Sequence, residues 1–417
     1  MLSHVAYRSR WARAWLALAD LPPAQGEHSS QYAKWLSWIA EPNRRRRIRS
    51  GFEDFRFPGT LPVISEVIRE RPTILHLHNL HGGYFDLRAL PELGELAPVV
   101  LTLHDQWLFT GHCAHSFECD RWRIGCGKCP DLTIYPAIPR DRTAENFALK
   151  QKVFSRARLH LATPCTWLMD RAKRSLLAPA IEEARVIPNG VDTTVFRPGS
   201  RANERSRLGL PQESRIVLCA ARSHHWTDRR LLRSTLRYLA EDSPVDCILL
   251  LLESERNSEE EMEGIKVIHR QYEPDVSRMA GYYRASDVYL HPARADTFPT
   301  AILESLACGV PAVATDVGGI PEQVRSLWAS KKASFSPPSS ATGILVDGED
   351  ATGAGRAIDL LLRHDALRAR LGENGANRTV LEFSITLQAQ RYLDWYRQIF
   401  SHHRESAPPS TSMTADR

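Results

Sequence analysis

Short apolar runs closed by polar or glycine-containing turns recur from about Thr73 to Asp347, and stretches with helical spacing lie between them. The runs predict strands at Thr73–His78, Pro98–Asp105, Arg158–Thr163 and Arg185–Pro188. They predict a second series at Arg215–Ala221, Val245–Leu252, Lys266–His269, Asp287–His291, Ala312–Thr315 and Thr342–Asp347. Most of these runs do not alternate, as expected of strands covered by helices on both faces. Helices are predicted from Thr166 to Leu177, Pro299 to about Ala307, near Pro321, Ala351 to Leu362 and Ala366 to Asn377. An amphipathic run then continues to Phe400. Strands alternating with helices imply a doubly wound α/β chain.

The densest information lies in Ser286–Glu322, SDVYLHPARADTFPTAILESLACGVPAVATDVGGIPE. It reads as strand, acidic loop, helix, strand, glycine loop, helix. Cys308-Gly309-Val310-Pro311 stops the first helix, since glycine suits the left-handed cap and proline cannot continue the turn. Such a unit sets helix N-termini and the Gly318-Gly319 turn at the carboxyl ends of parallel strands, where unpaired N–H groups can hold a diphosphate. Glu304 is polar on an otherwise apolar helix, and its carboxylate can accept both hydroxyls of a ribose. Asp296, eight positions earlier, sits in the loop and can meet sugar hydroxyls. On these residues alone, an ordinary βαβ unit with a solvated glutamate is the plainer reading.

Composition narrows the class without choosing a function. The 417 residues suffice for two domains, and 43% hydrophobic with 25% charged residues is a globular mixture. A net charge of +5 is mildly basic and favours anionic ligands or surfaces. No apolar run approaches the roughly 20 residues of a membrane span. Arg8, Arg10 and Arg13 interrupt the N-terminal apolar residues, with no signal cleavage site, so the cytoplasm is the default compartment. Asn43–Arg49 is a basic run beside Trp35 and Trp38. It suits anionic lipid head groups, at about 1 kcal/mol per charge, and equally a solvated loop; no nucleic-acid motif accompanies it. The tail from Ser406 is expected to be disordered.

Four of the eight cysteines, Cys113, Cys119, Cys126 and Cys129, fall in one loop with spacing C-x5-C-x6-C-x2-C. The spacing fits a closed structural zinc site, with redox pairs or free thiols as the alternative. His104 ends its strand before Asp105, and a histidine there faces the ligand side of a parallel sheet. His81-Gly82-Gly83 occupies a comparable loop. Arg222, Arg229 and Arg230 flank the start of the helix after Arg215–Ala221, where cations can neutralise a leaving diphosphate or simply decorate an exposed helix start.

The order D-x7-E, ACGVP and DVGGIPE, with LHD and PNGVD upstream, resembles the retaining glycosyltransferases of family 4 and their two-domain GT-B fold, whose signature is E-x7-E. The resemblance runs from about His76 to Tyr396 and is nearest to enzymes of bacterial surface polysaccharides, which carry a similar cysteine-rich loop. It implies two Rossmann-like domains, 1–192 and 193–380, a terminal helix 381–403 returning to the first, and a tail 404–417. Asp296, His104, Arg222 and Arg230 become catalytic candidates. Glu304, Phe298, Pro299, Thr300, Gly318, Gly319 and Tyr272 become donor ligands, and His81, Gly82 and Gly83 acceptor-side residues. Asp296 stands where many members have Glu, and Arg230 and Leu231 where they have Lys and Gly. The implied reaction moves a hexose-type sugar from a nucleoside diphosphate sugar to a lipid-linked saccharide or polysaccharide acceptor, without a catalytic cofactor and with peripheral contact to an anionic membrane at its inner face. A nucleotide-sugar-binding homologue and a sugar-nucleotide epimerase on the same fold are the rivals. First domains of this fold begin with a strand and a glycine turn, whereas Met1–Ala6 reads as a second strand. The expectation is a first domain lacking its first strand, and a chain that is weakly active unless extended upstream.

Overall fold

The computed structural model describes residues 43–406 apart from 54, 58, 59, 82–84, 221–225, 255, 256 and 351. The expectations for Met1–Ala6, Trp35, Trp38, Gly82, Gly83, Arg222 and the tail from 407 fall outside these residues. The chain divides into two compact units. One takes it as far as Thr163, then Met169–Arg185 and the stretch from Tyr392; the other takes Pro164–Leu168 and Val186–Arg391.

The first unit holds α1 (Arg44–Arg49), α2 (Thr60–Glu70), β1 (Leu75–His78), α3 (Leu90–Leu96), β2 (Val99–Thr102), α4 (Thr143–Phe154) and β3 (Leu159–Thr163). After α5 (Thr166–Lys173), β4 (Ile181–Val186) completes its sheet. The strands lie in the order β1-β2-β3-β4, with β1–β2 and β2–β3 parallel. Every residue of β2 is buried, which is why its sequence does not alternate. The last strand begins at Ile181, earlier than expected, because its sequence IEEARV is half polar and gives little apolar signal.

Asn146, Phe147, Lys150, Val153 and Phe154 of α4 are buried at helical spacing. Lys150 is the exception to their chemistry. Its ammonium donates to the carbonyls of Trp107 (2.6 Å) and Thr110 (3.0 Å) and pairs with Glu53 at 2.7 Å. A charge without water needs such partners. Burial pulls the Lys150 ammonium down and pushes the Glu53 carboxyl up, and their attraction opposes both shifts. The pair anchors the start of the cysteine loop to α4.

The second unit opens with α6 (Arg201–Leu208), capped by the Ser200 side chain and ended by Gly209 at φ +65°. It continues through β5 (Arg215–Ala220), α7 (Arg229–Glu241), β6 (Cys247–Ser254), β7 (Ser258–Met262), β8 (Ile265–Gln271), α8 (Val276–Ala285), β9 (Val288–His291), α9 (Thr300–Ala307), β10 (Ala312–Thr315), α10 (Ile320–Gln323) and β11 (Gly343–Val346). Helices α11 (Gly353–Arg363) and α12 (Asp365–Glu382) follow, and α13 (Ile385–Ser406) begins here and belongs to the first unit from Tyr392 onward. The sheet order is β11-β10-β9-β5-β6-β8-β7, parallel except for β7. That edge strand, SEEEM, carries no apolar pattern; Glu259 and Glu260 instead meet Lys266 and His269 of β8.

Asp287, just before β9, fixes the amino end of this sheet. It accepts from the Ile216 amide (2.8 Å) and pairs with Arg205 (2.8 Å) and Arg201 (2.8 Å), with Arg368 at 3.5 Å. The carboxylate thereby holds β5 beside β9. These are the strands at which the sheet reverses its order, since β6 lies on the other side of β5. Ligands of open α/β sheets bind at the carboxyl ends of strands at such a reversal.

Candidate active site

A cavity of about 380 Å³ opens at that point in the second unit. Ala220 of β5, Leu252 of β6 and His291 of β9 form part of its lining, with Asp296, Thr300 and Glu304. The loop after β9 is pinned along its backbone. Thr227 pairs with Ala293, the Asp228 amide donates to the Pro292 carbonyl (2.6 Å), and the Arg294 amide donates to Trp226 (2.7 Å). The Thr315 hydroxyl donates to the Ala293 carbonyl at 2.7 Å. Asp296, with 31% of its side chain exposed, projects from this held loop.

Helix α9 has Pro299 as its N-cap, one position earlier in role than the sequence suggested, and no side chain caps it. The first-turn residues Thr300 and Ala301 line the cavity. Amide N–H groups of a first turn suit an anion. One turn further, Glu304 reaches the same space and accepts from the Tyr283 phenol at 2.9 Å. Burial and the carboxylate itself push the Tyr283 phenol well above its ordinary value, so it stays a donor. A carboxylate offers about four acceptor positions. Tyr272, 57% exposed, lines the cavity.

Three groups of expected site residues lie outside this lining. Phe298 is buried and its ring packs on Phe383 at 5.9 Å, outside the lining, because the loop turns it into the core. Gly318 and Gly319 also lie outside the lining. A Cβ on Gly318, at φ +57°, would stand 1.7 Å from the Asp296 carbonyl, and one on Gly319 would stand 2.2 Å from that of Thr297. These glycines let the chain pack against the acidic loop. Arg230 is exposed in the first turn of α7 and does not line the cavity; its amide is held by the N-cap Asp228.

Sequence reasoning missed Tyr283 and His291. The tyrosine sits in a buried run that reads as core, but His291 ends a strand just as His104 nearly does, so the same argument was available for it.

In the first unit, His104 Nε2 lies 3.0 Å from His78 Nδ1. Burial pulls both imidazoles down, toward the neutral form. His76 stacks on His78 with centroids 4.2 Å apart, contacts Thr102 at 2.8 Å and Tyr396, and is pulled down to about 4 by burial and its neighbouring histidines. His81 Nε2 lies 2.7 Å from Asp105.

Among the described residues no three His, Cys, Asp or Glu side chains are grouped to hold a metal as they stand. Cys126 Sγ accepts the Gly111 amide, and Cys129 Sγ faces His112 Nε2 at 3.4 Å and the Asp131 carbonyl. Burial pushes the Cys113 thiol up to about 12 and that of Cys126 to about 11.

Two Rossmann-like α/β units, one with a cavity at its sheet reversal headed by a helix N-terminus and two carboxylates, define the GT-B class. Residues 15–195 match the model described as Glycosyltransferase Family 4, and residues 200–378 match Glycosyl transferases group 1. The chain belongs to this glycosyltransferase family. It is 28% identical over 265 residues to Escherichia coli K12 WcaC, provisionally named as a glycosyl transferase of colanic acid biosynthesis; the match covers 58% of this chain and 60% of WcaC. It is 29% identical over 266 residues to a D-inositol 3-phosphate glycosyltransferase of Acidothermus cellulolyticus, covering 58% and 54% of the two chains. The chain therefore spans only part of the length of these relatives. Similar folds include sucrose-phosphate synthase from Thermosynechococcus elongatus, with TM-score 0.58 and 20% identity over 82% of this chain and 77% of that one. Anabaena HepE in complex with UDP has TM-score 0.57 and 14% identity over 81% and 82%.

Proposed function

We propose that the chain is a retaining glycosyltransferase that moves a hexose-type sugar from a nucleoside diphosphate sugar to a lipid-linked saccharide or polysaccharide. The observation that carries this reading is the joint presence of Asp296, Glu304 and the first turn of α9 on one cavity at the sheet reversal. Glu304 takes the ribose hydroxyls, the amides of Thr300 and Ala301 take the diphosphate, and Asp296 takes a hydroxyl of the sugar. Arg222, two residues beyond the cavity-lining Ala220 in the chain, adds positive charge for the leaving diphosphate. The family resemblance assigns a sugar hydroxyl to His104, whose imidazole burial holds toward the neutral form. The similarity to WcaC supports a surface-polysaccharide acceptor, and the HepE complex supports a nucleoside diphosphate donor.

No helix among the described residues is long and apolar enough to cross a membrane. Contact with an anionic inner leaflet rests on α1, RRRRIR, which buries none of its residues and exposes Ile48. A thermal-shift screen of nucleotide sugars tests the donor assignment, because a ligand of the folded state raises apparent stability. A stabilising donor with no transfer to any acceptor would favour a binding homologue, and an isomerised donor an epimerase.

A further inference from the structure

We infer that His291 is a positioning residue for Asp296 and that Tyr289 sets the imidazole tautomer with which it acts. This rests on the donor site proposed above.

His291 is the last residue of β9 and lines the cavity with only 12% of its side chain exposed. Tyr289 precedes it by two positions, so both side chains leave the same face of the strand. The tyrosine is fully buried, and its hydroxyl lies 3.0 Å from His291 Nδ1. The other ring nitrogen, Nε2, is buried and makes no hydrogen bond, yet stands 3.4 Å from Asp296 Oδ2. A neutral imidazole has one N–H and one acceptor nitrogen. If Nδ1 carried the proton, an Nε2 lone pair would face a carboxylate in a buried site, leaving two acceptors opposed and unsatisfied. If the phenol donates to Nδ1, the proton is on Nε2 and points at Asp296. The second arrangement leaves no conflict.

The separation of 3.4 Å exceeds the usual N–H···O range of about 2.7–3.2 Å. Closing it requires motion of the Asp296 side chain rather than its backbone. The backbone is fixed by the pairing of Ala293 and Arg294 with residues 226–227 and by the close approach of Gly318 to the Asp296 carbonyl. The partly exposed carboxylate has rotamer freedom, and His291 is the donor aimed at it. When a sugar hydroxyl donates to one carboxylate oxygen, the Nε2–H holds the other. Catalytic geometry tolerates only about half an ångström of looseness, so this restraint bears on turnover rather than on nucleotide affinity.

A parallel connection serves the second carboxylate. Tyr283 donates to Glu304, and its ring meets that of Tyr289 edge-on at 5.6 Å. Two adjoining buried tyrosines thus support both acidic residues of the D-x7-E pattern, one directly and one through His291.

The test compares His291→Leu, His291→Gln, Asp296→Asn and the His291→Leu/Asp296→Asn double variant in sugar transfer, with UDP, GDP and ADP affinity by calorimetry and melting temperature alongside. His291→Leu is expected to lower kcat about tenfold to a hundredfold, the size of one lost hydrogen bond to a charged group, with nucleoside diphosphate affinity near wild type. His291→Gln, whose amide nitrogen stands near the Nε2 position, should recover most of the loss. The double variant should be little worse than Asp296→Asn alone, since the two residues act as a unit. Unchanged kcat in His291→Leu, equal losses in the Leu and Gln variants, or fully additive losses would overturn the inference. Side-chain ¹⁵N–¹H NMR of His291 decides independently of activity: a protonated Nε2 whose signal shifts in Asp296→Asn is expected, and a protonated Nδ1 would refute it. A wild-type protein that transfers no sugar would reject the donor reading while this NMR result still judges the tautomer.

Discussion

Replacing Glu304 by Gln keeps the shape of the side chain and removes the charge proposed to hold the donor ribose. Tyr283 is fully buried and donates to Glu304 at 2.9 Å. A glutamine carbonyl can still accept that bond, so the fold should persist and the melting temperature should barely move. The lost interaction is then the charged acceptor facing the cavity. Hydrogen bonds to charged groups contribute about 1.5–3 kcal/mol, which raises Kd about tenfold to 150-fold. Calorimetric titration with a nucleoside diphosphate measures this directly, and its 2′,3′-dideoxy analogue isolates the cause. The wild type should discriminate strongly between the two ligands and Glu304→Gln should not, because the discrimination arises at the carboxylate. Equal affinity of both proteins for the parent nucleotide, or undiminished discrimination in the variant, would remove Glu304 from the ribose site.

Other consequences are equally specific. Gly318→Ala places a Cβ 1.7 Å from the Asp296 carbonyl in a backbone conformation of φ +57°; turnover should collapse even though the glycine does not line the cavity, and near-normal kcat would show that the loop adapts. Asp287→Ala leaves Arg205 buried beside no carboxylate and Arg368 with Asp365 alone, at a cost of about 3–5 kcal/mol in urea unfolding; a loss under about 1 kcal/mol would contradict the reading of Asp287 as the clamp between β5 and β9. The unfolded chain titrates His76 near 6.5 and the native protein near 4. The unfolded state therefore binds more protons across that window, so stability is retained above it and declines as pH falls through it. Urea midpoints should show this decline, and His76→Gln should flatten it; an equal slope in the variant would assign the dependence elsewhere. Elemental analysis tests the proposed four-thiolate site at Cys113, Cys119, Cys126 and Cys129: protein purified without added metal should carry about one zinc per chain, and a metal-free, fully active preparation would refute it.

The sheet core was legible because strands such as Val99–Thr102 and Ala312–Thr315 are buried on both faces and appear as unbroken apolar runs. Edge strands were not: Ser258–Met262 depends on charge pairs with its neighbour, and Ile181–Val186 is half polar. Asp296 and Glu304 stood out as polar residues in apolar surroundings, and the cavity contains both. Tyr283, Tyr289 and His291 did not, because a buried aromatic with a hydrogen-bonding edge looks the same in sequence as one that only packs. Phe298 enters the site through the family resemblance, and the two glycines through the N–H groups of their turn at the strand ends. Their part is to fix where the loop lies, which becomes visible only when Gly318 is seen against the Asp296 carbonyl. The arginines illustrate a different limit, since helix position does not fix the direction of a long side chain, and Arg230 is exposed and outside the cavity lining.

The most direct test of the central claim is transfer itself. Purified chain is incubated with individual isotope-labelled nucleoside diphosphate sugars and a lipid-linked saccharide acceptor, and the anomeric configuration of the product is read by NMR. The account predicts that one donor yields a glycosylated acceptor with the donor's own anomeric configuration, and that Glu304→Gln and Asp296→Asn abolish or sharply reduce it. An inverted product, or transfer that survives loss of both carboxylates, would contradict it.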